Sequence, residues 1–178
     1  MKNIVLGITG SIAAYKAADI ARELTARGYG VHVIMTEAAC EFITPLTLQV
    51  ITGNKVHTDM FAPYRPSKVE HVSLAKLADL FLAAPATADF IAGAAAGDGN
   101  NLLLSVLLAL EDAPVLIAPA MNTAMYEDEA TTSNIEKLKA RGFEFIEPKV
   151  SYLASGETGK GALADVDAII NEVTGKLE

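Results

Sequence analysis

Cysteine is nearly absent from this 178-residue sequence: Cys40 is the only one, so no disulfide can form within the chain. The three histidines are scattered, and no Cys-x-x-Cys or His-x-x-x-His spacing occurs, so these residues predict no metal site. A secretory signal pattern is also lacking, because Met1-Lys2-Asn3 leads directly into an apolar run. We therefore expect a cytoplasmic protein.

Positive charge is also scarce. Lysine and arginine number 14 against 22 acidic residues, a net charge of −8, which favours neither a nucleic-acid partner nor an anionic membrane. Asp79, Asp89 and Asp98 interrupt the longest apolar region, so no segment of ~20 apolar residues is left to span a membrane. Apolar residues still make up 51% of the chain. An alanine-rich helical core explains part of this excess, and the apolar contacts of a homo-oligomer would explain the rest.

Short apolar runs alternate with helical patterns along the chain. Strands are predicted at 4–8, 31–35, 80–84, 115–118 and 143–146, and helices at 86–96, 101–110 and 133–141, with others after Ser11, from Thr44-Pro45 and near the end of the chain. This order predicts a single α/β domain over 1–178, a doubly wound parallel sheet in a Rossmann or flavodoxin-like three-layer sandwich. Segments 54–68 and 148–162 are predicted to be irregular functional loops.

Ligands of such sheets bind outside the carboxyl ends of the strands. Gly10 would let the backbone approach a ligand closely, and Ser11 would begin a helix whose free amides face an anion. Neither G-x-G-x-x-G nor a P-loop is present, so the single phosphate of a mononucleotide fits better than a dinucleotide. A turn that only caps a helix is an equally common explanation. Thr36 and Thr87 follow two other predicted strands, and the Thr87 hydroxyl would reach the same phosphate.

The run APAMNTAMY places the amide of Asn122 between the thioethers of Met121 and Met125, after a predicted strand. One polar group in a soft pocket suits a small ligand, although methionines that fill a core would give the same pattern. A single histidine such as His71 is more often structural than catalytic, and we interpret His32 and His57 as structural.

Together these segments resemble the flavin-dependent cysteine decarboxylases over nearly the whole chain. That family includes the phosphopantothenoylcysteine decarboxylases of coenzyme A biosynthesis and the lantibiotic peptidyl-cysteine decarboxylases. Residues 10–16, GSIAAYK, are similar to its first flavin segment, and residues 85–90, PATADF, to its second. Residues 119–126, PAMNTAMY, match its substrate motif PxMNxxMW except at Tyr126, and His71 occupies the position of its catalytic histidine.

The resemblance implies FMN as cofactor and a cysteine-terminated small molecule as substrate. The flavin would oxidise the thiol side to a thioaldehyde, which takes up the electrons as CO2 leaves and yields an enethiolate. It also implies a homo-oligomer, a trimer or a multiple of trimers, with flavin at a subunit contact. The implied residues are, for FMN, Gly10, Ser11, Ile12, Thr36, Pro85, Ala86 and Thr87; for substrate, Met121, Asn122, Met125 and Ala154; and for catalysis, His71, Asn122 and Ser155.

Two departures from the family pattern affect the expected activity. Asp89 stands where the second flavin segment commonly has asparagine. Ser155 stands where coenzyme A-type relatives have the cysteine of Ala-Cys-Gly, which helps return hydrogen to the enethiolate, and a hydroxyl is a far weaker acid than a thiol. We therefore expect impaired final reduction, and we expect residues 150–161 to form a lid.

Four functions remain open on the sequence. The favoured one is decarboxylation of 4'-phosphopantothenoylcysteine to 4'-phosphopantetheine, because residues 161–165, GALAD, resemble the coenzyme A branch. The first alternative, which Ser155 suggests, is a peptidyl-cysteine decarboxylase that releases an oxidised enethiol. A non-catalytic flavin-binding regulatory protein and a flavin prenyltransferase of related fold are the others, and His71 and Asn122 disfavour both.

Overall fold

Five parallel strands form the central sheet. In the computed structural model, which describes residues 1–61 and 69–178, the order across the sheet is β2-β1-β3-β4-β5. Most side chains of the first four strands are buried, because helices cover both faces of the sheet. The strands are β1 (Asn3–Ile8), β2 (Gly30–Met35), β3 (Leu80–Ala86), β4 (Val115–Pro119) and β5 (Glu144–Phe145).

Helices pack on the sheet in two layers, each with its own apolar cluster. On one face lie a 3₁₀ helix (Ile12–Lys16), α1 (Ala17–Ala26), α2 (Glu37–Cys40), α3 (Pro45–Thr52) and α9 (Val166–Leu177). On the other lie α4 (Glu70–Leu77), α5 (Ala88–Ala96), α6 (Leu102–Leu108) and α8 (Glu129–Ala140), while α7 (Thr123–Glu127) follows β4. This three-layer arrangement confirms the predicted doubly wound α/β fold.

A separate two-stranded sheet follows β5. Its strands, β6 (Lys149–Tyr152) and β7 (Thr158–Ala162), pair antiparallel, so the prediction that 148–162 is irregular was wrong. At the tip, Gly156 N donates a hydrogen bond to Leu153 O at 2.9 Å, and Gly156 has φ +86°. Such a turn with a left-handed glycine closes a hairpin, which the glycine content of this segment obscured.

Other predicted boundaries shift for local reasons. Helix α8 begins at Glu129 rather than near Ser133, because the Asp128 carboxylate accepts a hydrogen bond from Ala130 N at 2.8 Å and caps it. Strand β3 runs through Pro85 to Ala86 instead of ending before the proline. Strand β5 is shorter than predicted, only two residues.

The predicted loop 54–68 is described only in part. His57 forms an isolated bridge with Ile34 beside β2, whereas residues 62–68 lie outside the described part of the chain. Within residues 1–61 and 69–178, the helices are all too short or too polar to cross a bilayer.

Candidate active site

A cleft of about 520 Å³ opens at the carboxyl edge of the sheet, beneath the β6–β7 hairpin. Strand order reverses between β1 and β3, and this switch point is where open α/β sheets bind ligands. The cleft brings together predicted residues from four separate segments of the chain. They are Gly10, Ser11, Ile12, Thr87, Met121, Asn122, Met125, Ala154 and Ser155.

Thr9 fixes the two loops at the switch point relative to each other. Its side chain is almost fully buried, and Oγ1 donates a hydrogen bond to Pro85 O at 2.7 Å. The same oxygen accepts from Thr87 N at 3.0 Å. Thr9 N donates to Pro85 O at 3.2 Å as well. The Thr9 hydroxyl therefore satisfies two backbone groups of the loop that follows β3 and fixes that loop to the end of β1.

The Gly10–Ser11 turn is built as predicted in one respect and differently in another. Ser11 Oγ accepts from Ala13 N at 3.2 Å and caps the 3₁₀ helix, which leaves first-turn amides near the cleft. A Cβ on Gly10 would lie 2.5 Å from Ala38 Cβ. The glycine is therefore needed for the packing of α2, a requirement that the prediction of close ligand approach did not include.

The Asn122 amide is oriented by two hydrogen bonds. Oδ1 accepts from Ala124 N at 2.8 Å and caps α7, so Nδ2 is directed away from that helix. Nδ2 donates to Ser155 Oγ at 3.3 Å. Two of the three predicted catalytic residues are thus in contact, and the asparagine presents N–H groups that suit a carboxylate.

Ser155 sits at the tip of the hairpin. It belongs to the turn between Leu153 and Gly156. Leu153 N donates to Glu157 O at 2.8 Å, which is a second backbone hydrogen bond across this turn. Ala154 and Leu153 line the cleft from the same turn. The predicted lid over residues 150–161 is therefore a β-hairpin whose tip contacts the substrate motif.

Three predicted cofactor residues lie outside this lining. Thr36 caps α2 through a 3.2 Å bond from Ala39 N and lines a smaller cavity of about 190 Å³. Pro85 and Ala86 are buried, and their carbonyl groups accept hydrogen bonds, that of Ala86 from Ala120 N at 3.0 Å. Asp89, the departure from the family pattern, is exposed in the first turn of α5 and does not line the cleft.

His71 is not brought to the cleft within one chain. It lies at the start of α4, and α4 packs on the sheet face opposite α1. Its neighbour Glu70 accepts a hydrogen bond from His57 Nδ1 and another from Lys55 Nζ at 3.2 Å. His57 therefore anchors the preceding loop to α4, in agreement with the structural role predicted for it.

Lys149 and Tyr152 line the cleft although the sequence did not single them out, and Tyr15 and Lys16 of the predicted first flavin segment line it too. Lys149 is paired with Asp165, and this hydrogen bond holds the pKa of the Asp165 carboxyl below its usual value. A sequence signal was available, since Ser155-Gly156 is a turn dipeptide between two short segments that could pair.

The strand order β2-β1-β3-β4-β5 is that of flavodoxin-like proteins, which bind FMN at the β1/β3 switch point. The cleft occupies that position, so fold and site define a flavodoxin-like α/β protein with a mononucleotide-type site. The whole chain, residues 1–178, matches the Flavoprotein family. The protein belongs to this family, which confirms the predicted flavoprotein assignment.

Curated relatives point to one branch of the family. The chain is 51% identical over 177 residues to the probable phosphopantothenoylcysteine decarboxylase of Streptococcus mutans, covering 99% of both chains. It is 50% identical over 164 residues to the coenzyme A biosynthesis bifunctional protein CoaBC of Vibrio vulnificus. That match covers 92% of this chain and 41% of the relative, so the chain spans about two fifths of the bifunctional protein.

Solved structures agree at the level of fold. A cysteine-to-serine mutant of PPC decarboxylase complexed with pantothenoylaminoethenethiol has a TM-score of 0.88 and 28% identity, covering 97% of this chain and 96% of its own. The FMN-dependent cysteine decarboxylase SpaF has a TM-score of 0.85 and 29% identity, covering 100% and 98%. The predicted resemblance to flavin-dependent cysteine decarboxylases is confirmed.

Proposed function

We propose that this protein is an FMN-dependent decarboxylase of 4'-phosphopantothenoylcysteine in the cytoplasm. The observation that carries the proposal is the pair formed by Asn122 Nδ2 and Ser155 Oγ, 3.3 Å apart, in a cleft at the β1/β3 switch point. An oriented amide beside a hairpin tip suits a small substrate that ends in a carboxylate. The full-length similarity to a relative named for this activity supports the substrate.

The residues of the cleft floor fit a mononucleotide. The capped turn at Ser11 presents backbone N–H groups, and Thr87 lines the same cleft. Thr87 Oγ1 accepts from Phe90 N at 3.2 Å, which leaves its own proton available to an anion. When bound, FMN would accept the two electrons released as the thiol side of the substrate is oxidised.

The remaining steps fall to side chains of this protein. Asn122 would donate hydrogen bonds to the substrate carboxylate and hold it until the C–C bond breaks. CO2 would then leave, and the electron pair of the broken C–C bond would pass to the C=S group, which becomes an enethiolate. Met121 and Met125 line the cleft on either side of Asn122 and provide polarizable contacts for the sulfur. His71 would move a proton during the oxidation.

His71 reaches this chemistry only if a second copy of the chain supplies it. Within one chain it lies on the face of the sheet opposite α1. Two exposed apolar side chains lie near it, Val69 just before α4 and Val72 on α4, and they suit burial against another copy. We propose a trimer, or a multiple of trimers, in which His71 of one copy completes the cleft of the next.

Mixed oligomers test this arrangement. Co-expressed His71→Asn and Asn122→Ala chains should show far more activity than either variant alone. About a quarter of the interfaces in a random mixture would pair an intact His71 with an intact Asn122, so about a quarter of wild-type activity is expected. No recovery from a mixed, flavin-loaded oligomer would contradict the shared site.

A second candidate function follows from Ser155. Its hydroxyl contacts Asn122 where relatives of the coenzyme A type would place a thiol, and a hydroxyl returns hydrogen poorly. The protein would then release a larger share of oxidised enethiol. Replacing Ser155 with cysteine should increase the share of fully reduced product without changing the rate of CO2 release.

The primary test measures CO2 release and bound flavin together. Purified wild-type protein should be yellow and should release CO2 from 4'-phosphopantothenoylcysteine. Asn122→Ala should keep its flavin and release CO2 about 100-fold more slowly, because the carboxylate loses its donor. Asn122→Asp is the matched control for the helix cap, since it keeps the α7 cap but removes the donor. Full activity of Asn122→Ala would remove this residue from the mechanism.

A further inference from the structure

A polar cluster lies behind the substrate motif, outside the lining of the cleft. The Tyr126 hydroxyl donates a hydrogen bond to Glu147 Oε2 at 3.2 Å, and Lys160 Nζ donates to the same oxygen at 2.6 Å. Lys160 Nζ also lies 5.4 Å from the centroid of the Tyr126 ring, within cation–π range. One carboxylate oxygen therefore joins α7, the segment before β6, and β7.

Backbone contacts join the same strand to the same motif. Met121 N donates to Gly161 O at 2.9 Å. A Cβ on Gly161 would lie 2.2 Å from Met121 O, and a Cβ on Gly159 would lie 2.2 Å from Thr123 Oγ1. Strand β7 is therefore seated directly against residues 121–123, and the side chain between the two glycines is Lys160.

The charges of the cluster are complementary at neutral pH. The hydrogen bond from Lys160 holds the pKa of Glu147 below its usual value, so the carboxylate is ionised. Burial and the neighbouring Glu147 raise the pKa of Tyr126 to about 12, so its hydroxyl keeps the proton that it donates. Both partners of Tyr126 are partly exposed, so each contact alone is weak and the three act together.

We propose that Tyr126, Glu147 and Lys160 form a latch that seats the β6–β7 hairpin on the substrate motif and thereby positions Ser155 over Asn122. These are positioning residues, since they lie outside the cleft lining. The effect on catalysis rests on the function proposed above. The latch itself is a contact between two segments and can be measured without any substrate.

Hydrogen exchange of the flavin-loaded protein tests the contact. Glu147→Ala removes the shared acceptor, and Tyr126→Phe removes only the donor while keeping the ring beside Lys160. We expect amides of residues 149–162 to exchange about three- to tenfold faster in Glu147→Ala and less so in Tyr126→Phe. Asp19→Ala is the matched control, because it breaks the exposed Asp19–Arg22 pair on α1 and should leave the hairpin unchanged.

A double-mutant cycle tests whether the residues act as one unit. The combined Tyr126→Phe and Glu147→Ala protein should exchange no faster at the hairpin than Glu147→Ala alone. Tyr126→Trp should keep the amide protection that Tyr126→Phe loses, since the indole N–H is a hydrogen-bond donor. Unchanged exchange in both single variants, or fully additive effects, would overturn the latch.

Kinetics separate the latch from a merely structural role. Loosened seating should raise KM about three- to tenfold, lower kcat less, and leave the flavin content unchanged. If the wild-type protein has no decarboxylase activity but the hairpin still responds as described, the proposed function fails and the latch stands. If wild type is active while Glu147→Ala changes neither KM nor hairpin exchange, the latch fails and the proposed function stands.

Discussion

The two walls of the cleft are built in opposite ways. At the switch-point wall, Thr9 is almost fully buried, and its hydroxyl bonds to backbone groups of the second loop at 2.7 and 3.0 Å. At the hairpin wall, Ser155 and Tyr152 are exposed, and the contacts are carried by Lys160, Glu147 and glycine backbone. One wall is part of the sheet, and the other only rests on it.

This difference matches two different tasks. A cofactor that stays bound through many turnovers needs a fixed floor, which buried backbone hydrogen bonds provide. A substrate that enters and leaves needs a wall that opens, and elements with few buried apolar contacts open at low free-energy cost. We therefore expect changes at the floor to affect stability and flavin binding, and changes at the hairpin to affect turnover.

Gly161→Ala should show the difference between the two walls most strongly. The new Cβ would lie 2.2 Å from Met121 O, so β7 cannot stay packed against Met121. We expect kcat/KM to fall about 100-fold, or about 2.7 kcal/mol of transition-state stabilisation, with flavin retained. Gly175→Ala is the matched control, because a Cβ there meets nothing within 4 Å. Normal turnover by Gly161→Ala would show that the hairpin seat is dispensable.

A smaller effect, on the other wall, is expected from Thr9→Val. The substitution keeps the shape but removes the hydroxyl that serves Pro85 O and Thr87 N. The free energy of unfolding should fall by about 1–3 kcal/mol because buried polar groups lose their partners. Chemical denaturation of the flavin-loaded protein measures this. Thr132→Val, at an exposed site on α8, should change stability far less, and equal losses in the two variants would contradict the account.

The smallest effect is expected in the pH dependence of amide protection in the β6–β7 hairpin. The pKa of Glu147 is lowered in the folded protein, so its stabilising contribution is present above its unfolded pKa and is lost as pH falls through the folded value. The pKa of Tyr126 is raised to about 12, so its contribution is present below the ordinary tyrosine pKa of 10.0 and is lost as pH rises towards 12. Hairpin protection relative to Glu147→Ala should be constant between these limits and should be lost in acid, as pH falls through the lowered pKa of Glu147. A difference that persists in acid would rule out this charge pair.

The sequence predicted the sheet well, and four of the seven residues predicted to bind the cofactor, Gly10, Ser11, Ile12 and Thr87, line the cleft. Continuous apolar runs at 4–8 and 80–84 are sufficient for buried parallel strands, and the position of their ends follows from the fold class. Asn122 of the predicted substrate motif follows β4 and lines the cleft. These features depend on local pattern and on rules that hold for a whole class of sheets.

The hairpin wall was predicted less well because its structure depends on tertiary contacts. Gly159 and Gly161 weaken a strand pattern, yet each is required by the surface that it packs against. The Tyr126–Glu147–Lys160 cluster joins residues from three segments, and no spacing in the sequence indicates it. His71 lies on the sheet face opposite α1, and the second copy proposed to bring it to the cleft is something that a pattern within one chain does not specify.

The product mass from 4'-phosphopantothenoylcysteine tests the central claim most directly. The purified yellow protein should convert the substrate to species that have lost CO2, with fully reduced 4'-phosphopantetheine accompanied by a product poorer by two hydrogens. Ser155→Cys should shift that mixture towards the reduced product. Unchanged substrate after incubation with flavin-loaded protein would contradict the account.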